Sequence, residues 1–335
     1  MHMANELLSP TVAFGCGIIA VGGISFAAGR IRDMADSHLI PLMGVLGAFV
    51  FAAQMVNFSL PAIAGTSDHL IGAILLAVLL GPHAALITMT GILVVQCLVF
   101  QDGGLLALGA NIINMGLLPA YIGYGLWRLM IGQGPLTRGK LLPAAWTAAF
   151  IGVCLGSAAV CVEVGLSGRL AIPLAKFSAA MIGIHLVSGA IEGGITCAIL
   201  IFLYKLYPHL AGTSVNWQEK KMNPRSLVVM ICVLAVVTAG SFSWFASPYA
   251  DGLERVVSAP STLKPKTELA GKIDTFQNKF TPLPDYNKRD EPSQKRWPNV
   301  NFWTSFSGLL GIGLTMFVIR LGAGFITCRQ KVKSG

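Results

Sequence analysis

Apolar residues run in long blocks along this chain, at 8–29, 39–57, 69–81, 84–100, 105–130, 142–164, 177–206, 226–246 and 306–328, with polar stretches between them. A helix needs about 17–25 apolar residues to cross a bilayer, and most blocks meet that length. The block at 69–81 falls short, and Gly81-Pro82-His83 separates it from the next. Read as one helix, 69–100 would run ~48 Å at ~1.5 Å per residue, too long for a ~30 Å hydrocarbon core. The pattern therefore predicts two short helices or a re-entrant pair there. The fold class it predicts is all-α, a polytopic helical membrane protein with about nine transmembrane helices.

Composition supports that class and charge gives it a direction. Hydrophobic residues make up 54% of the chain and charged residues 12%, with 38 glycines; soluble domains carry about 25% charged residues. With nine crossings and the N-terminus outside, the inner segments hold Arg30, Arg32, Arg128, Arg138, Lys140, Lys205, Lys220, Lys221, Arg225, Arg329, Lys331 and Lys333. The short outer loops hold only Arg169 and Lys176. This is the bias expected of cytoplasmic loops, so the N-terminus is predicted outside and the C-terminus inside. The start lacks a basic leader region and carries Glu6, so 8–29 reads as an uncleaved helix. Seven cysteines lie in or at the ends of apolar runs without CxxC spacing, and read as small core residues.

The organisation is two-part. Residues 1–208 form a seven-helix unit, 209–225 a polar and basic cytoplasmic linker, and 226–335 a two-helix unit enclosing an outer segment at 247–305. That segment is rich in Pro and Lys, with few aliphatic clusters. It is predicted to be loosely ordered alone and to dock on the membrane part.

The candidate chemistry lies at the front. Met1-His2 offers three nitrogens in one strand: the α-amine, the His2 amide and the His2 imidazole. Chelation through them closes a five-membered and a six-membered ring, and both push the donors towards a plane. A fourth nitrogen would complete a square, the geometry that suits Ni(II) or Cu(II). His69, in Gly65-Thr66-Ser67-Asp68-His69, is the candidate for it. Thr66, Ser67 or Asp68 is expected to cap the third helix, which would leave His69 in its first turn at the outer interface. The charge bias puts both histidines on one side.

Several stretches together resemble the CbiM/NikM family, the substrate-binding membrane components of energy-coupling-factor nickel and cobalt transporters. They are Met1-His2-Met3 with Leu8-Ser9-Pro10, Ser67-Asp68-His69-Leu70, Leu79-Leu80-Gly81-Pro82, and Gln101-Asp102-Gly103-Gly104-Leu105-Leu106-Ala107-Leu108-Gly109-Ala110-Asn111 with Asn114-Met115. His185 and Ile191-Glu192-Gly193 match the family's seventh helix. The tail resembles a NikN-type partner of the PDGLE kind, through Phe245-Ala246-Ser247-Pro248, Ala250-Asp251-Gly252-Leu253-Glu254 and Leu283-Pro284-Asp285-Tyr286. The resemblance covers nearly the whole chain as a fusion of the two components. Asp68 stands where the family often has Gly, Met3-Ala4-Asn5-Glu6 where many members have a Pro-Asp/Glu-Gly turn, and Ala250 replaces the motif's Pro. None of these departures removes a ligand.

The resemblance implies metal held by the Met1 amine, the His2 amide and imidazole, and the His69 imidazole. It implies Ni(II) or Co(II) as transported substrate, nickel favoured by the planar nitrogens, and no catalytic cofactor. It also implies partners: a transmembrane coupling subunit of the CbiQ/NikQ type and ATPase subunits of the CbiO/NikO type, in a prokaryotic plasma membrane. The chain has no GxxxxGK[ST] loop of its own and no HExxH cluster, and nothing points to nucleic acid. The rival class is an ATP-independent secondary transporter or channel for a small solute, which would carry inverted repeats; none is found. Asn111 and Asn114, three apart and so on one helical face, are expected to hold the N-terminal loop or orient a ligating imidazole, or to hydrogen-bond between helices. Asp68 and Asp102 border the outer mouth as cation attractors or helix caps. His185 and Glu192 share one stripe and are expected to make a structural hydrogen bond or a partner contact. His38, His83 and His209 are expected at the inner interface.

Overall fold

The computed structural model describes residues 1–34, 39–133, 136–206, 224–259, 261–289 and 297–331. Nearly all of it is helix: α1 (Pro10–Met34), α2 (Leu39–Gln54), α3 (Ala73–Leu80), α4 (Pro82–Val95), α5 (Leu108–Ile112), α6 (Tyr124–Ile131), α7 (Arg138–Ser167), α8 (Leu174–Leu206), α9 (Pro224–Gly240), α10 (Gly252–Val257), α11 (Glu268–Phe280) and α12 (Phe302–Lys331). One two-stranded ladder interrupts them, β1 (Phe58–Ser59) antiparallel to β2 (Ser67–Asp68). Most of the expected linker, and His38 and His209, lie outside the described residues.

Among the described residues, five helices are long and apolar enough to cross a membrane: Pro10–Arg32, Pro82–Phe100, Arg138–Ser167, Leu174–Leu206 and Phe302–Gly324. α2 and α9 are shorter apolar helices. The burial of each helix tells its place. The spanning window at Pro82–Phe100 is 72% buried and that at Pro10–Arg32 only 22%, so α4 is the hub and α1 a peripheral staff. α1 turns Phe14, Ile18, Val21 and Phe26 outwards, a face suited to lipid and not to water. Small residues let the staves close up. A methyl at Gly311 of α12 would stand 2.1 Å from the Phe51 ring of α2, and one at Gly47 2.5 Å from Ile319. The helices at the two ends of the chain thus form one packed body.

Gly81, at φ 83°, parts α3 from α4, as the short apolar blocks predict. The apolar block at 105–130 is less regular than expected. Between α5 and α6 it continues as two π-helical turns, Ile113–Leu117 and Pro119–Gly123. Pro119 lacks an N–H for the ladder, one known cause of such widening.

The described residues of the segment at 247–305 pack on the bundle, and they include two capped helices that its composition does not announce. Asp251 and Thr267 cap α10 and α11 by accepting from the backbone N–H of Glu254 and Ala270. Both helices are short and polar, which hides them among turn formers. The segment reaches back to the bundle through Ser247 N to Asn57 O (2.8 Å), Leu283 N to Val99 O (3.2 Å) and Ala171 N to Thr262 O (2.9 Å).

A second correction concerns His69. Ser67 and Asp68 pair with β1, and α3 begins only at Ala73 after Gly72 turns at φ 74°. No side chain from Thr66 to Asp68 caps α3, and His69 lies four residues before it in extended chain. Glu192 of α8 takes over the capping task. Its two carboxyl oxygens accept from Ile71 N (2.9 Å) and Gly72 N (3.0 Å), donors that a helix start would otherwise leave unpaired. The expected structural hydrogen bond at Glu192 is this one.

Candidate metal centre

One end of the bundle brings Met1, His2 and His69 together. The N-terminal strand lies inward of the Gln101–Ala107 loop and is held as if in a sheet. Met3 N donates to Asn111 Oδ1 (2.8 Å), Asn111 Nδ2 donates to Met3 O (3.3 Å), and Gly104 N donates to the same carbonyl (2.8 Å). Only glycine fits at 104, since a Cβ there would sit 2.4 Å from Asn5 N. Asn111 therefore holds the strand, one of its expected roles. Asn114 donates to Glu163 Oε2 (2.7 Å) and touches Met3 Sδ (3.6 Å). It links helices and steadies Met3, and touches neither imidazole.

The Met1 amine is fully buried, 3.5 Å from His69 Nε2 and 3.1 Å from Asp251 Oδ2. Nitrogens sharing one cation at about 2 Å lie about 2.8 Å apart when adjacent and about 4 Å apart when opposite. In the expected chelate the amine and Nε2 are adjacent, so their 3.5 Å separation would have to close by about 0.7 Å around a shared cation. The His2 and His69 rings stack at 5.0 Å between centroids and 29° between planes. In this arrangement His2 Nδ1 faces Asp102 Oδ1 at 3.1 Å, so the four candidate nitrogens do not yet share a plane.

Hydrogen bonding fixes which nitrogen of each ring is available. The carbonyl of Ile71 can only accept, so Gln54 donates to it (2.8 Å); Gln96 Nε2 donates to Gln54 Oε1 (2.8 Å); Gln96 Oε1 then accepts from His2 Nε2 (3.1 Å). This chain puts the proton of a neutral His2 on Nε2, so its Nδ1 lone pair is turned against the Asp102 carboxylate at 3.1 Å, a repulsion that a cation between them would relieve. His69 Nδ1 faces the Leu70 carbonyl at 3.1 Å, which puts its proton there and its lone pair on Nε2. A histidine that binds metal characteristically donates its other N–H in this way.

Electrostatics favour a cation in this mouth. Burial holds the His2 pKa down to about 4, and nearby Asp102 only partly opposes it, so the ring is neutral at pH 7. Burial also opposes charge on the Met1 amine, but the Asp251 and Asp68 carboxylates outweigh it and raise the amine's pKa. For Asp251 burial works upward, yet the neighbouring amine and the Glu254 N–H hold the carboxyl well below its usual range. Asp68 is likewise lowered against its burial, through His185 and the amine. Asp68 Oδ1 accepts from His69 N (2.9 Å) and its Oδ2 lies 3.8 Å from His185 Nε2. A polar cavity of about 370 Å³, lined in part by Glu6, Asp102, Asp251, Glu254, Asp274 and Asp285, leads to His2. His83 lies apart, on Tyr121 Oη at 2.8 Å.

Sequence reasoning passed over Gln54, Gln96 and Asp251 as parts of this centre. The two glutamines are the isolated amides of otherwise apolar blocks, a usable signal. Asp251 belongs to the quoted tail motif, but nothing in the sequence ties it to Met1.

The geometry defines a helical membrane protein with a nitrogen-rich, acid-rimmed mouth, and comparison with known proteins agrees. The family described as "Cobalt uptake substrate-specific transmembrane region" matches residues 2–210, and the PDGLE domain matches 225–329. The chain belongs to this CbiM family of metal-uptake membrane proteins, with a PDGLE domain behind the CbiM region. The putative fused nickel transport protein NikMN of Archaeoglobus fulgidus is 30% identical over 260 residues, covering 77% of this chain and 82% of that one. The fused nickel transport protein NikMN of Rhodobacter capsulatus is 27% identical over 350 residues, covering 97% of each. A solved structure titled as a truncated transition metal transporter is 34% identical with a TM-score of 0.53, covering 61% of this chain and 99% of its own. These relatives are transport proteins, not enzymes.

Proposed function

We propose that this chain is the substrate-capture component of an ATP-driven energy-coupling-factor importer, taking Ni(II) in preference to Co(II) at the outer face of a prokaryotic plasma membrane. The ligands are the Met1 amine, the His2 amide and Nδ1, and His69 Nε2. The observation that carries this reading is the pair of ring contacts. Gln96 and the Leu70 carbonyl each occupy the ring nitrogen that chelation does not need, while His69 Nε2 faces the Met1 amine and His2 Nδ1 faces the Asp102 carboxylate. Loading turns His2 Nδ1 from Asp102 to the cation and releases two protons to solvent, one from the amine and one from the His2 amide. Four nitrogens in a plane suit Ni(II).

In this reading the chain crosses the membrane nine times with Met1 outside. It is divided at 1–208, 209–225 and 226–335, with 247–305 as the outer segment. Two further components do the work of transport. A CbiQ/NikQ-type subunit couples the chain to CbiO/NikO-type ATPases, whose hydrolysis drives reorientation and inward release.

The test is metal binding by the full-length chain tagged at its C-terminus. His69→Ala and His2→Ala are each expected to abolish Ni(II) binding in folded protein, and one residue added before Met1 to do the same. Normal binding in the histidine variants would end the ligand assignment. Normal binding in the extended chain would remove the amine from it.

A further inference from the structure

The contact that neither the ligand set nor the fold explains is the one between the chain's two ends, Met1 N to Asp251 Oδ2 at 3.1 Å. Asp251 belongs to the outer segment of the C-terminal unit, and its side chain is divided between two tasks. Oδ1 accepts from Glu254 N (2.7 Å) and caps α10, while Oδ2 accepts from the buried amine. The turn that carries it is clamped to the strand that carries His69. Ser67 N donates to Ala250 O (2.9 Å), and Ser67 Oγ donates to Tyr249 O (2.7 Å). On the other side Gly252 seats against α8, where a Cβ would come 2.8 Å from Ile184 Cγ2 and 3.0 Å from His185 Cε1. One rigid turn thus fixes the amine and the His69 strand with respect to each other.

We propose that Asp251 is a positioning residue of the metal centre, through which the C-terminal unit aims the Met1 amine at His69 Nε2. The proposal rests on the ligand reading above. An amine bound to a cation keeps two N–H donors, so the carboxylate has a partner in the loaded state as well as before it. It then holds the lone pair towards the cation and balances part of its charge. Loss of such an outer partner typically lowers metal affinity about 10–100-fold. The C-terminal unit would therefore set affinity as well as take part in transport.

The experiment uses the full-length chain, C-terminally tagged, with Ni(II) as probe. Affinity is read by competition with a chelator, and the ligand set by the visible absorption of planar Ni(II)–nitrogen coordination. Asp251→Asn keeps an oxygen for the α10 cap but places an amide donor or a weaker acceptor against the amine. Asp251→Ser keeps a good cap and withdraws the acceptor. Both are expected to bind about 10–100-fold more weakly and to show the unaltered planar absorption at saturation. A folded variant binding within about threefold of the parent overturns the proposal. So does altered absorption at saturation, which would make Asp251 a ligand itself. If neither variant folds, Ser67→Ala decides, because it loosens the turn without touching the carboxylate: weakened binding supports the role, and unchanged binding overturns it. Failure of the ligand reading looks different: His69→Ala would bind normally, or the parent would lack the planar absorption.

Discussion

The two arms of the candidate metal centre are built on different principles. His69 is held from below, by continuous chain: β2 pairs with β1, Gln54 takes the Ile71 carbonyl, and Glu192 takes the two N–H groups before α3. Met1 and His2 are held from the side, by a terminal strand lodged among side chains from elsewhere: Asn111, Gln96, Asp102 and Asp251. The first arm is part of the bundle's own hydrogen-bond accounting, so damage there should unfold the protein. The second is a buried terminal strand that is also packed into the core, with Met1 and Met3 fully buried and Asn111 paired by Met3, so damage there should weaken metal binding more than it weakens the fold.

Glu192→Ala is the strongest way to break that contrast. It leaves two buried backbone donors unpaired, at about 1–3 kcal/mol each. A loss of thermal stability of roughly 3–5 kcal/mol is expected in the metal-free chain; a variant as stable as the parent would mean the His69 arm does not depend on α8. Acid is the next largest lever. His2 is neutral in the folded chain down to about pH 4, whereas an unfolded histidine takes its proton near pH 6.5. The folded pKa is depressed, so the unfolded state binds more protons between those values and stability falls as pH falls from about 6.5 to 4. The limit is about 3 kcal/mol at ~1.4 kcal/mol per pKa unit. Thermal unfolding across that window should show the slope in the parent and a shallower one in His2→Ala. Over the same range the amine's raised pKa should make Ni(II) affinity climb with pH.

Asn111→Ala tests the side arm directly. It removes both bonds to Met3 and is expected to lower Ni(II) affinity about 10-fold or more, with a smaller change in unfolding temperature than Glu192→Ala. A collapse of stability instead would erase the difference between the arms. The smallest effect belongs to the rim. Lys266, 52% exposed, pairs with Asp274 at 2.7 Å and Glu6 at 3.1 Å, and exposed pairs are worth about 0–1 kcal/mol. Lys266→Ala should change neither stability nor affinity measurably in physiological salt.

The same contrast explains what could be read from the sequence. Apolar block length foretells α1, α4, α7, α8 and α12, and Gly81-Pro82 foretells the break, because membrane burial writes itself into composition. The sequence offers Met1, His2 and His69 as nitrogen donors, and the fold brings the three together. What escaped is what depends on pairing at a distance. The backbone of Ile71 and Gly72 is capped from α8 and not by Asp68 beside them, so local cap chemistry pointed to the wrong helix start. Asp251 escaped for a similar reason: a capping aspartate in a turn looks the same whether or not its second oxygen meets an amine. The π turns at Ile113–Leu117 and Pro119–Gly123 leave only Pro119 as a local sign.

Met1 and Asp251 stand 250 positions apart in the chain, and that separation sets an order of assembly. A chain that stopped short of Asp251 would hold the amine without its carboxylate, so this pairing has to wait until the turn before α10 has been made.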